Sequence, residues 1–420
     1  MRRSRDRPDA AAEVAGGRGA AQLSEKRTPW DMVVVGWSHA GIHAYVAGLG
    51  ILIPFVIAAF HTNYAVIGIL LSATYIIGSG LQLLALILKR TSARLLLTIQ
   101  NLACAVAAAI NAWAPGLAVF VAGRFLQAAA SWPQHPVGSS YLASRYPGRG
   151  MVLSWHVTAG NLGTLLAPFA VSAAVATWGW RAGFLVLSVI LLSATLLVAL
   201  TLKAPWRSLA PSSLEEGEAR TSFRELLRKR EVLALLVAGM IAAGGQGVGM
   251  VGVYTPGYLH SGLRMTEFPV ASVLTVLYIG AVAGPLIMGW AADRTAHVPV
   301  LLVNYALGAV ALGSFVLVGR SIWYLAAVGL AVGIFSYSEL PLRQTVFADF
   351  LPEGMRRAGF GIFFTISQSI GAIWVAVIGV AVTTVGFQAA FGIMAGTFLA
   401  GMLVVIWGTR GGARRERAAT

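Results

Sequence analysis

MVVVGWSHAGIHAYVAGLGILIPFVIAAFHTNYAVIGILLSATYIIGSGLQLLALIL, residues 32–88, contains no Asp, Glu, Lys or Arg in 57 positions. One membrane-spanning helix needs roughly 20–25 apolar residues, so this run holds two, near 33–60 and 64–88, broken at His61-Thr62-Asn63. The rest of the chain repeats the pattern. Later apolar runs predict helices near 95–113, 116–142, 151–177, 182–202, 232–258, 268–291, 299–318, 321–347, 358–384 and 387–408, twelve in all. The composition agrees, with 57% apolar and 11% charged residues against roughly 25% charged in soluble domains. A soluble globule is excluded. One cysteine cannot build a disulfide framework or a thiolate metal cage. A transmembrane β-barrel would show short alternating segments instead of long runs.

The net charge of +15 lies in tails and connections, with no nucleic-acid-binding motif beside it, which marks it as topogenic and lipid-facing charge. With connections assigned alternately to the two sides, 26 Lys/Arg fall on the side of both tails and three, Arg181, Arg264 and Arg320, on the other. The positive-inside rule then places both termini in the cytoplasm, in an inner or plasma membrane. The expected organisation is a disordered basic tail at 1–31 without a signal-peptide apolar core, a six-helix bundle at 32–202, a cytoplasmic loop at 203–231, a second bundle at 232–409 and a short tail at 410–420.

The two bundles read as a duplication. Gly50-Ile-Leu-Ile-Pro54 corresponds to Gly252-Val-Tyr-Thr-Pro256, Gly80 and Arg90-Thr91 to Gly284 and Arg294-Thr295, Pro136 and Pro147 to Pro341 and Pro352, and Gly179-Trp-Arg-Ala-Gly-Phe184 to Gly386-Phe-Gln-Ala-Ala-Phe391. The order is kept, and the offset grows only from 202 to 207. Six helices per half give both halves the same orientation, so the pseudo-two-fold axis runs along the membrane normal, an arrangement typical of transporters.

Twelve helices as six plus six, a polar central loop and Gly289-Trp-Ala-Ala-Asp293-Arg294 after helix 8 resemble the major facilitator superfamily over residues 32–409. The first-half copy of that loop signature departs from the family pattern, reading Ala85-Leu-Ile-Leu-Lys89-Arg90. Arg124-Phe-Leu-Gln127 is similar to the family's helix 4 Arg-x-x-Gln element. Gly160-Asn-Leu-Gly163 with Ala167-Pro168 resembles a weak form of its helix 5 glycine-proline motif. His135-Pro136, Arg149-Gly150 and Gly160-Asn161 are most similar to the fosmidomycin-resistance-like branch. The resemblance implies alternating access, with substrate held at mid-membrane by helices 1, 4, 7 and 10. It implies a gate role for Asp293, Arg294, Lys89 and Arg90.

Charge within a bilayer costs about 2.5–3.5 kcal/mol per residue on insertion scales, so each ionisable group inside a span is a candidate site residue. Arg124 falls near mid-membrane, with Gln127, Ser131 and His135 following on one stripe. It either binds an anionic group or braces helix packing. His39 and His43, at i and i+4 on helix 1, titrate in the right range for proton carriers and equally suit hydrogen-bonded structural roles. Ala40 stands where a zinc protease motif needs Glu, so no metal is expected. Glu339, with Arg343 one turn on and Pro341 between them, is either a proton-coupling carboxylate with its counter-ion or a static pair at a gate. Gln246, Tyr254 and Gln368 complete the candidate substrate contacts.

These residues predict a secondary active transporter of a small organic anion or acidic amphipathic compound, driven by protons and working as a monomer in the lipid bilayer. Proton-driven toxic-compound efflux is the alternative, because direction is open, although the lack of an acidic residue in helix 1 weakens a cation-extruding reading. An uncoupled facilitator or a non-transporting sensor comes next. No nucleophile-base set or metal cluster supports an enzyme, no cofactor is expected, and no phosphate-binding loop for ATP occurs.

Overall fold

The computed structural model describes residues 30–82, 84, 88, 91–145, 149–204, 228–317, 319–351 and 356–410. The first half comprises α1 (Trp30–Ala59), α2 (Tyr64–Leu81), α3 (Ala93–Trp113), α4 (Leu117–Ala130, continued through Gln134–Gly138 to Ser139–Arg145), α5 (Arg149–Trp178) and α6 (Trp180–Thr201). The second comprises α7 (Arg230–Ala242, continued in short segments to Gly262), α8 (Glu267–Arg294), α9 (His297–Phe315), α10 (Ile322–Asp349), α11 (356–385) and α12 (387–409). Ten stretches are long and apolar enough to span a bilayer. One of them holds both α11 and α12, and α4 is divided too finely to count, so the described chain has the twelve expected spans.

Local chemistry sets the boundaries. His61 takes a positive φ of 48° after α1, and Asn63 caps α2 by accepting from the Val66 amide at 3.0 Å. α5 and α6 are separated by Gly179 (φ 83°, ψ 169°), and α11 and α12 by Gly386 (φ 84°, ψ 170°). This conformation favours glycine, and the two sites are the ones paired by the repeat.

Two spans depart from the continuous helices that the hydropathy predicts. α4 opens into a π turn at Gln134–Gly138, which follows Pro133 and contains Pro136, because neither proline supplies a backbone N–H to the ladder. α7 is interrupted at Ala243–Gly245 and again by π turns around the glycines 247, 249, 252 and 257. A pure hydropathy pattern carries neither break.

Within the first half α1 packs on α5 and α6, and α3 on α6; within the second α7 packs on α11, α8 on α10, and α9 on α10. Across the halves α2 meets α11, α5 meets α8, and α1 meets α7, which is the pairing a two-fold axis requires. Small residues permit these approaches. A Cβ on Gly163 would overlap the Ala40 carbonyl, and one on Gly333 would overlap that of Leu277. The repeat-related Gly50 and Gly252 themselves touch, since a Cβ on Gly50 would strike the Gly252 carbonyl.

Candidate functional site

A cavity of about 310 Å³ lies between the halves at mid-depth. Its wall includes His43 of α1, Tyr75 of α2, Arg124, Gln127 and His135 of α4, Asn161 and Thr164 of α5, Tyr278 of α8 and Tyr337 of α10. It reaches Gln82, at the end of α2, and His135, in the π turn of α4. The opposite end is sealed. There Tyr64 stands against Ser261 (3.5 Å), Tyr254 and Phe387, the Ala65 amide donates to Thr383 (2.9 Å), and Phe55 packs on His260.

Arg124 is 2% exposed, its guanidinium 5.2 Å from the Tyr45 ring centre, a cation–π arrangement. Asn111 fixes that tyrosine by donating to its hydroxyl at 3.0 Å, and Gly123 leaves room for the Asn111 amide. The Nε and Nη1 of Arg124 are buried with no hydrogen-bond partner. No Asp or Glu occurs from residue 32 to 214, and the one carboxylate of the first half, Asp31 in the first turn of α1, is paired with Arg145 at 2.7 Å and accepts from Tyr141 at 2.8 Å.

Imidazoles gather beside it. His39 stacks on His156 (ring centres 4.1 Å apart) and meets His43 and His135 edge-on at 4.5 and 4.9 Å. The Nδ1–H of His39 donates to the His156 carbonyl at 2.6 Å. Gly160 lies against the His39 ring, where a side chain would collide. Below the cluster Gln134, first residue of the π turn, accepts from Ser38 (2.8 Å) and Gln100 (2.6 Å), and Asn101 donates to Ser38 (2.8 Å). This buried network ties the broken part of α4 to α1 and α3.

The other candidates lie elsewhere. Glu339 is fully buried in the second half. Its Oε1 accepts from Arg343 Nε (2.6 Å) and Tyr305 (2.8 Å), and its Oε2 from Gln246 Nε2 (2.5 Å). Gln246 therefore serves Glu339 and does not line the cavity. Arg343 continues to Ser367 (3.3 Å), sits over the Phe363 ring and rests against Gly239. Tyr254 bonds the Val375 carbonyl at the sealed end. Asp293 lies 3.7 Å from His297, which bonds Asp349 at 2.6 Å, and Arg294 stacks on Trp290. Lys89, Arg90 and the side chain of Gln368 lie outside the described residues.

The model of the Major Facilitator Superfamily matches residues 38–319 and 247–420. The chain belongs to the Major Facilitator Superfamily. Among curated proteins none matches the sequence. Solved structures similar to this member include the nucleoside transporter NupG, with TM-score 0.73, 15% identity, 90% of this chain and 97% of that one covered. Another is a bacterial homologue of the human lysosomal transporter Spinster in an inward-facing, unoccupied conformation, with TM-score 0.71, 12% identity and coverages of 92% and 96%. A POT family transporter in complex with 5-aminolevulinic acid gives 0.70, 13%, 90% and 96%. The protein is thus a multi-pass membrane transporter and not an enzyme.

Of the candidates visible in the sequence, the fold brings Arg124, Gln127, His43 and His135 to one cavity wall, with His39 directly behind them. His156, Tyr45, Asn111, Tyr278 and Tyr337 join the site only through the fold. The motif Gly160-Asn-Leu-Gly163 did carry a signal for His156 and His39, because its glycines bring α5 onto the histidine face of α1.

Proposed function

We propose that this protein is a proton-coupled secondary transporter that carries a small organic anion, or an amphipathic compound bearing acid groups, by alternating access between its halves. The observation that carries the reading is Arg124. A buried guanidinium with two unpartnered nitrogens on a cavity wall, in a half whose one carboxylate, Asp31, is already paired with Arg145 at 2.7 Å, is costly unless a ligand supplies the counter-charge. A carboxylate or phosphate does so with charge-assisted hydrogen bonds. Gln127, Asn161 and Thr164 offer neutral contacts on the same wall. Tyr278 and Tyr337 cover the opposite side.

The proton is assigned to Glu339. A proton there cancels the charge that Arg343, Tyr305 and Gln246 hold and releases Gln246, whose neighbours form the broken part of α7. Coupling would then run from the second half's buried network to the helix that meets α1 at Gly50. The distribution of Lys and Arg supports cytoplasmic termini, so the described conformation is read as open to the cytoplasm. The protein is proposed to act as a monomer in the inner or plasma membrane.

The test is internal pH in proteoliposomes challenged separately with pools of organic anions, cations and neutral solutes. A pH change with the anion pool is expected. A response confined to cations or neutral compounds overturns the anion assignment, and anion flux without proton movement overturns the coupling.

A further inference from the structure

We propose that His39, His43 and His135 form a binding site for a divalent first-row transition ion, zinc or a close relative, on the cavity wall. One ring nitrogen from each lies within 4.8 Å of the other two. Only the i, i+4 pair is visible in the sequence; the third imidazole arrives from α4, because the π turn carries His135 back towards α1. π turns of this kind recur at functional sites.

The tautomers suit coordination. His39 commits Nδ1–H to the His156 carbonyl, which leaves the lone pair on Nε2, and that atom is buried with no partner in a side chain 1% exposed. His43 places Nδ1 3.3 Å from the Thr164 hydroxyl, again leaving Nε2 for a ligand. Metal-bound histidines characteristically anchor the other ring nitrogen in this way, to a carbonyl or a polar oxygen. An unmet buried lone pair is otherwise unfavourable.

The donor set selects the ion. Three neutral imidazoles with no carboxylate suit zinc, copper, nickel or cobalt and exclude a calcium or magnesium cage. Zn–N bonds of about 2.0–2.1 Å require nitrogens about 3.3 Å apart, a contraction that calls for rotation of the half-buried His43 ring as well as of the exposed His135. Three protein ligands leave a fourth position facing the cavity, the open-site pattern. Arg124 lines the same cavity and repels a dication, so hydroxide or an anionic solute would fill that position. The site goes beyond the anion reading and does not depend on it.

The experiment uses the full chain, purified without a polyhistidine tag in detergent, with Zn²⁺ alone in equilibrium dialysis and Co²⁺ alone as a spectroscopic probe. One equivalent per chain with tetrahedral Co²⁺ bands is expected. His39→Ala, His43→Ala and His135→Gln should each weaken binding about tenfold or more, and Thr164→Val about tenfold, as loss of an orienting partner does. His135→Gln reads the site even if the buried variants fail to fold, because that side chain faces the cavity. Arg124→Ala should keep the metal, which separates this site from the anion anchor. His297→Ala, at the exposed Asp293–Asp349 cluster, should also leave it unchanged. Wild-type protein that binds no ion, binding unaffected by His135→Gln, or loss only in His297→Ala overturns the proposal.

Discussion

Arg124 and Glu339 are both charged groups buried at membrane depth, and their surroundings assign them different work. Arg124 has an aromatic face and an open wall, while the one carboxylate of its half, Asp31, is engaged by Arg145. Arg124→Ala is therefore expected to abolish binding of the transported anion. Arg124→Lys should keep a fraction, since an ammonium retains the charge but loses the planar fork; unchanged binding in both would leave Arg124 a packing residue. Glu339 has three donors already. Glu339→Gln should retain exchange of the anion while losing pH-driven accumulation, and retained accumulation would make the pair a brace only. Because removing one member of a buried pair strands the other, Arg343→Leu should lower stability by about 3–5 kcal/mol. The double change with Glu339→Leu should recover much of that loss, as thermal unfolding in detergent would record.

At the level of helices, packing depends on a few positions with no side chain. Gly333 on α10 lies against the Leu277 carbonyl of α8, and Gly284 against Ile334, so these two helices meet backbone to backbone. Gly333→Ala should force them apart and reduce the yield of monodisperse protein, whereas Gly396→Ala, with nothing within 4 Å of the added methyl, should be neutral. Equal behaviour of the two on size exclusion would remove the packing argument. The spans themselves were legible because each backbone group in lipid must be satisfied within a helix, so length and hydropathy almost determine them. The breaks in α4 and α7 were less so: Pro133, Pro136 and the glycines mark weak points, but whether a helix bends or opens is decided by neighbours such as Gln134 and its partners on α1 and α3. The site divides in the same way. Arg124 and His135 stood out as costly residues on an apolar helix, while Tyr45 and Asn111 are ordinary until the fold places the tyrosine under the guanidinium and the asparagine on its hydroxyl. Gln246 shows the converse, a polar residue at the right depth that turns inward to a carboxylate on α10.

For the whole molecule, the duplication has a mechanical consequence. Gly179 and Gly386 share one backbone conformation, and Gly50 meets Gly252 across the axis, so the halves can rock about contacts that both supply. In the described state the end away from the termini is closed by α1 and α2 against α7 and α11, through Tyr64, Phe55, His260, Ser261 and Thr383. Alternating access requires that this seal part in every cycle. Ala65 and Thr383 are joined there by a 2.9 Å backbone-to-hydroxyl bond, and the native Cys104 is buried, so Ala65→Cys with Thr383→Cys should form a new disulfide on mild oxidation. The oxidised protein is expected to stop net transport of the anion, with activity restored by reductant, while Ala65→Cys alone stays active under both conditions. Because the seal lies away from the cavity wall, Arg124-dependent binding from the open side should survive the cross-link. Transport that continues through a fully oxidised pair would mean that this end does not open, and the rocking of two halves would fail as the mechanism.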